Sequence, residues 1–137
     1  MNTNLLARDI MISPPPKIRS GTSLGEVVES LRKHRLGGIP VVDHHNKVVG
    51  FVSEQDCIHT MLVSSYHCEG MPTVDDVMHS EVLSVDPNRS IVDIAQEMGK
   101  NRPKSYPVIE DGVLVGLLTR GALLSALWEN RAVCDSG

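Results

Sequence analysis

Aromatic side chains are scarce in this sequence of 137 residues. Phe51, Tyr66, Tyr106 and Trp128 are the only aromatic residues of the Phe, Tyr and Trp types. The core must therefore be built from Val, Ile, Leu and Met. RNA- and single-strand-binding modules of the RNP and OB types stack bases on clustered aromatic rings, and this chain has no such cluster to offer.

A concentrated basic surface is also missing. The formal net charge is -4, and the isoelectric point is near 5.8. A protein that binds the phosphate backbone needs a basic face, so we expect no nucleic-acid partner. No apolar run approaches the ~18 residues of a membrane span, and the first eleven residues lack the features of a signal peptide. We therefore expect a cytoplasmic protein without a membrane partner.

The three cysteines, Cys57, Cys68 and Cys134, are odd in number and widely spaced. They form no C-x-x-C pair, so neither a disulfide framework nor a zinc knuckle is expected. Hydrophobic residues make up 41% of the chain, which is enough for a folded core. The length fits one ordinary domain, or two half-sized units that share a core.

The chain contains one sequence unit twice. A shift of 67 residues aligns the two copies, and after the loss of one residue in a turn the shift becomes 66. The matched pairs include Asp9 and Asp76, Met11 and Met78, Ser23 and Ser90, Arg35 and Arg102, Pro40 and Pro107, Gly50 and Gly116, and Ser53 and Thr119. We assign residues 1–64 to the first repeat, 65–73 to a linker, 74–130 to the second repeat and 131–137 to a tail.

Each repeat predicts a strand, a helix, two strands and a helix. Apolar residues with helical spacing follow Ser23 and Ser90, each with an acid three residues later, as in a capping box. Next come two apolar segments joined by a polar turn, which predict a β-hairpin; the second turn is Asp-Gly at 111–112. The first strands should lie around Ile18 and Val85. This α+β pattern predicts two halves packed sheet to sheet with pseudo-twofold symmetry and a cleft between them.

These motifs, in this order and occurring twice, resemble a tandem pair of cystathionine β-synthase (CBS) domains, also called a Bateman module. The resemblance covers roughly residues 5–128. It implies the βαββα fold for each half and a regulatory role, so we expect no enzyme activity and no required cofactor. It also implies an adenosyl ligand such as AMP, ADP, ATP or S-adenosylmethionine in the cleft, and a homodimer that pairs through its helices.

The strongest candidate site is the segment Ser53-Glu54-Gln55-Asp56, where the last strand of the first half meets its last helix. A helix N-terminus suits a phosphate, and the Ser53 hydroxyl could add a donor. The resemblance gives Asp56 the role of accepting from both ribose hydroxyls. The same Ser-x-x-Asp spacing is also a capping box that needs no ligand.

The second half departs from this pattern. It has Thr119, Arg120 and Gly121, and then Ala122 in place of the carboxylate. An Ala side chain accepts no hydrogen bond, although Arg120 could attract a phosphate. We therefore predict one competent adenosyl site and a second that is weak, altered or empty.

The resemblance also implies which residues hold the base. These are Lys17, Ile18, Ile39 and Pro40 in the first half, and Ser84, Val85, Tyr106 and Pro107 in the second. Tyr106 is the one aromatic residue that this assignment places on a base; otherwise it is a partly buried strand residue. Five cations could neutralise phosphates or lie on the surface as solvated charges: Lys17, Arg19, Arg35, Arg102 and Lys104.

We therefore predict a sensor that binds an adenosyl ligand and passes its occupancy to an effector protein. A ligand-independent dimerising scaffold is the alternative. A third possibility is a metal or redox module built from Cys57, His59, His67 and Cys68. Cys57 belongs to an apolar helix face and His59 lies about 200° around the helix from it, so we expect no metal site.

Overall fold

The computed structural model describes residues 4–63, 70–98 and 103–131. Helices and strands keep the order expected from the repeat, except that each repeat opens with an additional four-residue helix and that, within these ranges, the first strand of the second repeat is missing. They are α1 (Ala7–Ile10), β1 (Ile18–Arg19), α2 (Leu24–His34), β2 (Gly38–Val42), β3 (Val48–Ser53), α3 (Glu54–Val63), α4 (Val74–Val77), α5 (Ile91–Glu97), β4 (Ser105–Glu110), β5 (Val113–Thr119) and α6 (Arg120–Glu129). Within the described ranges, no helix has the length and apolar character needed to cross a membrane.

The strands form one small sheet in each half. In the first half β1 runs parallel to β2, and β2 pairs antiparallel with β3. In the second half β4 and β5 form an antiparallel pair, and the predicted strand near Val85 is reduced to one parallel bridge with Val108. The predicted α+β fold of two repeats is confirmed.

The helix starts and hairpin turns have local causes. The Ser23 and Ser90 hydroxyls accept hydrogen bonds from N–H groups in the first turns of α2 and α5, which satisfies donors that the helices leave unpaired. In the second hairpin Asp111 and Gly112 have φ values of 53° and 81°. Two consecutive positive φ values are typical of the two-residue hairpin turn that Asp-Gly predicts.

Each half has its own aliphatic core under its sheet. In the first, Leu24, Val27 and Leu31 of α2 pack with β2 and β3. In the second, Ile91 and Ile94 of α5 pack with β4, β5 and α6. The halves meet at the hairpin ends, where Asn46 and Leu114 exchange hydrogen bonds of 3.0 Å.

The segments that lead into the two repeats are exchanged between the halves. Helix α1 packs in the core of the second half through Ala7, and Ile12 pairs with Leu117 of β5. Helix α4, which opens the second repeat, packs in the core of the first half, and His79 pairs with Phe51 of β3. A packing unit therefore combines most of one repeat with the opening segment of the other.

Asp75 reinforces this exchange. Its carboxylate accepts hydrogen bonds from the Ser20 hydroxyl and the Gly21 N–H, so it ties α4 to the turn before α2. These bonds, the one from Ser20 most of all, hold the pKa of Asp75 below its ordinary value. The carboxylate therefore helps to join the opening segment of the second repeat to the first half while it is ionised.

The exchange explains why the Gly of each Val-Gly pair is repeated. A Cβ on Gly50 would overlap the Sδ atom of Met78, and a Cβ on Gly116 would overlap that of Met11. Both glycines have negative φ, so the requirement is for space and not for an unusual backbone conformation. The repeated Asp-apolar-Met motif and the repeated glycine thus fit together across the halves.

We expect Gly116→Ala to lower the free energy of unfolding by about 1–3 kcal/mol, as overpacking of a close contact does. The added methyl group would push the Met11 side chain out of its position against β5. Denaturant titration measures the loss. The double variant that also carries Met11→Ala should recover part of it, and an unchanged stability of Gly116→Ala alone would contradict this packing account.

Candidate ligand-binding cleft

A cleft of about 640 Å³ opens between the two halves. Its walls come from the start of β2, the junction of β3 with α3, the opening segment of the second repeat and the start of β4. The lining residues are Gly37, Gly38, Phe51, Ser53, Glu54, Gln55, Ile58, His79, Pro103, Lys104 and Ser105. This volume is within the range of about 300–1,000 Å³ that holds small organic ligands.

Asp56 lies in the first turn of α3, next to the cleft. Its Oδ2 atom accepts from the N–H and the hydroxyl of Ser53 at 2.9 and 2.8 Å. The Nδ1 atom of His79 lies 3.1 Å from the same oxygen. Asp56 Oδ1 takes no part in these contacts. Asp56 does not itself line the cleft, but the two residues that Oδ2 contacts, Ser53 and His79, do.

Ser53 accepts the reciprocal hydrogen bond of the cap. Its hydroxyl accepts from the Asp56 N–H at 3.1 Å, which gives the reciprocal bonds of a capping box. The next N–H of the helix, that of Glu54, donates to the Gly37 carbonyl at 2.8 Å and joins α3 to the start of β2. The predicted Ser-x-x-Asp segment therefore forms a hydrogen-bonded helix start at the cleft wall, and its role as a ligand site stays a prediction.

Phe51 is the aromatic residue of this cleft, and the sequence interpretation did not assign it a role. Its ring packs against Gly38, where a Cβ would overlap the ring. The His79 ring lies 6.1 Å away, centroid to centroid. Strand alternation could have identified Phe51, because it precedes Ser53 by two residues and therefore lies on the same face of β3.

The four base-holding residues predicted in the first half lie elsewhere. Ile39 and Pro40 are completely buried within β2, and Ile18 is buried in the core beside them. Lys17 Nζ donates to the Asn46 side chain at 3.0 Å, beside the hairpin turn. The structure therefore places Ser53 in the cleft wall with Asp56 hydrogen-bonded to it, and it does not bring these four residues to the wall.

The residues predicted in the second half do not line this cleft either. Thr119 caps α6 by accepting from the Ala122 N–H at 3.1 Å, and Arg120 is exposed. Val85, Tyr106 and Pro107 are buried in their own half. Val85 and Tyr106, with Ser84, border a separate pocket of about 170 Å³, which is small for a nucleoside.

Lys104 is the predicted cation that the cleft contains. Its carbonyl also accepts the N–H of Arg120, the first residue of α6, at 2.8 Å. Arg19 and Arg35 are exposed and do not line the cleft. Arg102 lies outside the described residues.

The thiol of Cys57 is buried in the first core and has the character of a small apolar group. Burial, with smaller contributions from the Asp56 and Glu54 carboxylates, raises its pKa. His59 is exposed on the same helix, and the predicted partners His67 and Cys68 lie outside the described residues. Over residues 4–63, 70–98 and 103–131, no three His, Cys, Asp or Glu side chains come together as a metal-binding group would.

Comparison with known proteins identifies the family. The CBS domain model matches the chain twice, at residues 7–63 and 74–129. The uncharacterized protein MJ1426 of Methanocaldococcus jannaschii is 30% identical over 154 aligned positions, which cover 90% of this chain and 91% of that protein. Two longer relatives from the same organism are matched over only 39% and 21% of their lengths.

Two similar solved structures contain adenosyl ligands. The CBS domain pair of protein MJ0100, in complex with 5′-methylthioadenosine and S-adenosyl-L-methionine, has a TM-score of 0.79 at 25% identity and covers 95% of this chain and all of that one. The structure of CBSX2 in complex with AMP has a TM-score of 0.76 at 26% identity and covers 90% of this chain and 96% of that one. The family model matches the chain twice, and the fold has two halves that exchange their opening segments. This chain therefore belongs to the CBS domain family and is a tandem CBS pair.

Proposed function

We propose that this chain is a regulatory module that binds an adenosyl ligand in the cleft beside Asp56. The observation that carries the proposal is the pairing of a 640 Å³ cleft with a carboxylate whose Oδ1 atom is left available by the helix cap. The solved CBS pairs that contain adenosyl ligands support the same ligand class.

Each part of the ligand has a matching surface. Asp56 Oδ1 would accept from the ribose hydroxyls, since a carboxylate accepts charge-assisted hydrogen bonds from a diol. The apolar faces of Phe51 and Ile58 would contact the base or the 5′ substituent. The second half has Ala122 where the ribose-binding carboxylate would be, so we propose one competent site per chain.

His79 would transmit occupancy between the halves. It belongs to the opening segment of the second repeat, pairs through its backbone with Phe51 and contacts the carboxylate of Asp56. A ligand on Asp56 Oδ1 would change the strength of the His79 contact at Oδ2, and so would favour one arrangement of the exchanged segment. Such a shift needs different ligand affinities for the two arrangements, and an effector protein would recognise the favoured one.

A second candidate function is a dimerising scaffold that needs no ligand. It is favoured by exposed apolar side chains on α3 and α6, the helices that follow the two hairpins. Because pseudo-symmetry places the same kind of face on each half, two copies of the chain could pair through both. We propose this homodimer for the sensor as well, so dimerisation alone does not distinguish the two functions.

A thermal-shift panel distinguishes them. It would contain AMP, ADP, ATP, S-adenosylmethionine, 5′-methylthioadenosine and, as a control base, GMP. One site occupied at a hundredfold excess over Kd adds about 2.7 kcal/mol of stability, which raises the Tm of a chain of this size by several degrees. We expect at least one adenosyl compound to produce this shift and GMP to produce none. No shift from any adenosyl compound would leave the scaffold as the function.

A further inference from the structure

The start of α3 has few hydrogen-bond donors left for a phosphate. A helix N-terminus binds phosphate through backbone N–H groups that have no partner. Here the Ser53 N–H donates to Asp56, the Glu54 N–H to Gly37 and the Asp56 N–H to Ser53. The capping box and the bond to Gly37 therefore occupy three of the donors at this helix start, which leaves the Gln55 N–H between them as the remaining one.

The charges around the cleft also disfavour a phosphate. Glu54 lines the cleft and Asp56 lies two residues further along the chain, so the first turn of α3 contains two carboxylates. Among the described residues of the lining, Lys104 is the one with a permanent positive charge. A terminal phosphate brings a charge of about -1.5 to -2 at neutral pH, and the Glu54 carboxylate in the lining would repel it at close range.

The acidity is particular to the first half. At the positions of Glu54 and Asp56, the first turn of α6 has Arg120 and Ala122. The two halves share the hydroxyl at the helix cap, so the difference lies in the charge presented to a ligand and not in how the helix begins.

The cleft has an apolar surface where a 5′ substituent could lie. Ile58 is one helical turn beyond Glu54 on the same face of α3, lines the cleft and is 52% exposed. Phe51 contributes an aromatic wall beside it. Exposed apolar area of this kind favours a substituent with little charge and some hydrocarbon or sulfur content.

We propose that this cleft selects adenosyl ligands that carry no phosphate and have an uncharged or cationic group at the 5′ position, as 5′-thioether and sulfonium nucleosides do. The proposal rests on the proposed function, because it concerns the same site. It names Glu54 as the residue that disfavours a phosphate and Ile58 as part of the surface that accepts the thioether or sulfonium group.

Calorimetric titration of the full chain with 5′-methylthioadenosine and with AMP tests the proposal. We expect 5′-methylthioadenosine to bind about tenfold more tightly, the effect of two like charges within several ångströms of the phosphate. In Glu54→Gln, AMP should bind about fivefold more tightly than it does to the unaltered chain, whereas 5′-methylthioadenosine should be unaffected. Raising the salt concentration should reduce the difference between the ligands.

Glu29→Gln is the matched control, because it changes the net charge by the same amount at an exposed site on α2 that does not line the cleft. It should leave both affinities unchanged. AMP binding as tightly as 5′-methylthioadenosine would overturn the selectivity while the adenosyl function stands, and an unaltered preference in Glu54→Gln would overturn the role of Glu54. If neither these two nor any other adenosyl compound of the thermal-shift panel binds, the proposed function itself fails.

Discussion

Asp56→Ala is expected to weaken binding of 5′-methylthioadenosine, or of whichever adenosyl compound the panel identifies, by about a hundredfold or more. Two hydrogen bonds from the ribose to a charged acceptor contribute about 1.5–3 kcal/mol each, and each 1.4 kcal/mol is a factor of ten in affinity. Isothermal titration calorimetry measures the loss directly. Binding that survives this substitution would place the ribose away from Asp56.

The same substitution also removes a helix cap, so a control must separate binding from folding. Asp76 forms the equivalent capping box at the start of α4, where its Oδ2 atom accepts from the Thr73 N–H at 3.0 Å. Its partner Thr73 does not line the cleft, whereas the partners of Asp56, Ser53 and His79, do. Asp76→Ala should therefore lower stability by about 1 kcal/mol, as loss of a cap does, and leave the ligand affinity unchanged. An equal loss of affinity in both variants would mean that Asp56 acts only through folding.

The sequence was sufficient to predict the repeat, the hairpins and the Ser53–Asp56 helix start, because each depends on local chemistry. Capping spacing, the Asp-Gly turn and the alternation of apolar segments all act over a few residues. The exchange of opening segments could not be predicted in this way. Self-alignment shows which residues are copies of one another, but it does not show on which copy a segment packs.

The repeat nevertheless contained indirect evidence of the exchange. Met11 is matched to Met78 and Gly50 to Gly116. Met78 of the second copy fills the space beside Gly50 of the first, and Met11 of the first copy fills the space beside Gly116 of the second. Two motifs that recur together are compatible with contact inside one copy or between copies. Only the packing of Met78 against Gly50, and of Met11 against Gly116, distinguishes these arrangements.

The sequence has no local signal that identifies base-holding residues on β2, and the reason is physical. All five residues of β2 are buried, so the strand shows no alternation of exposed and buried positions from which to identify a ligand-facing side. Ile39 and Pro40 therefore resemble cleft residues in sequence but lie in the interior. Phe51, on the adjacent strand, reaches the cleft because its ring lies over Gly38, which is paired with Ser53 two residues away and has no side chain.

Helices α3 and α6 leave a large amount of apolar surface uncovered. Cys57 of α3 and both Leu123 and Ala126 of α6 are buried in their cores, but other apolar residues of these two helices are exposed. On α3 the exposed fractions are 80% for Leu62 and 67% for Val63, and on α6 they are 70% for Leu124 and 64% for Trp128. Several such side chains on equivalent helices exceed the scattered apolar exposure of an ordinary monomer surface, and a second copy of the chain could cover both faces at once.

We therefore expect Leu62→Asp and Leu124→Asp each to raise the dissociation constant of the homodimer by about a hundredfold or more. Twofold symmetry places each substitution in the interface twice, and burial of an unpaired carboxylate opposes association at both places. Sedimentation equilibrium measures the change. Because the side chains are exposed in the single chain, the unfolding free energy should change by no more than about 0.5 kcal/mol.

Met71→Asp is the control, since Met71 is 54% exposed but lies outside α3 and α6. It introduces the same charge on an equally accessible apolar residue and should leave the dimer intact. A chain that is monomeric before substitution, or a dimer that tolerates both helix variants, would contradict pairing through these faces. If the helix variants become monomeric and still bind ligand with unchanged affinity, the cleft functions within one chain, and the dimer serves to present its state to a partner.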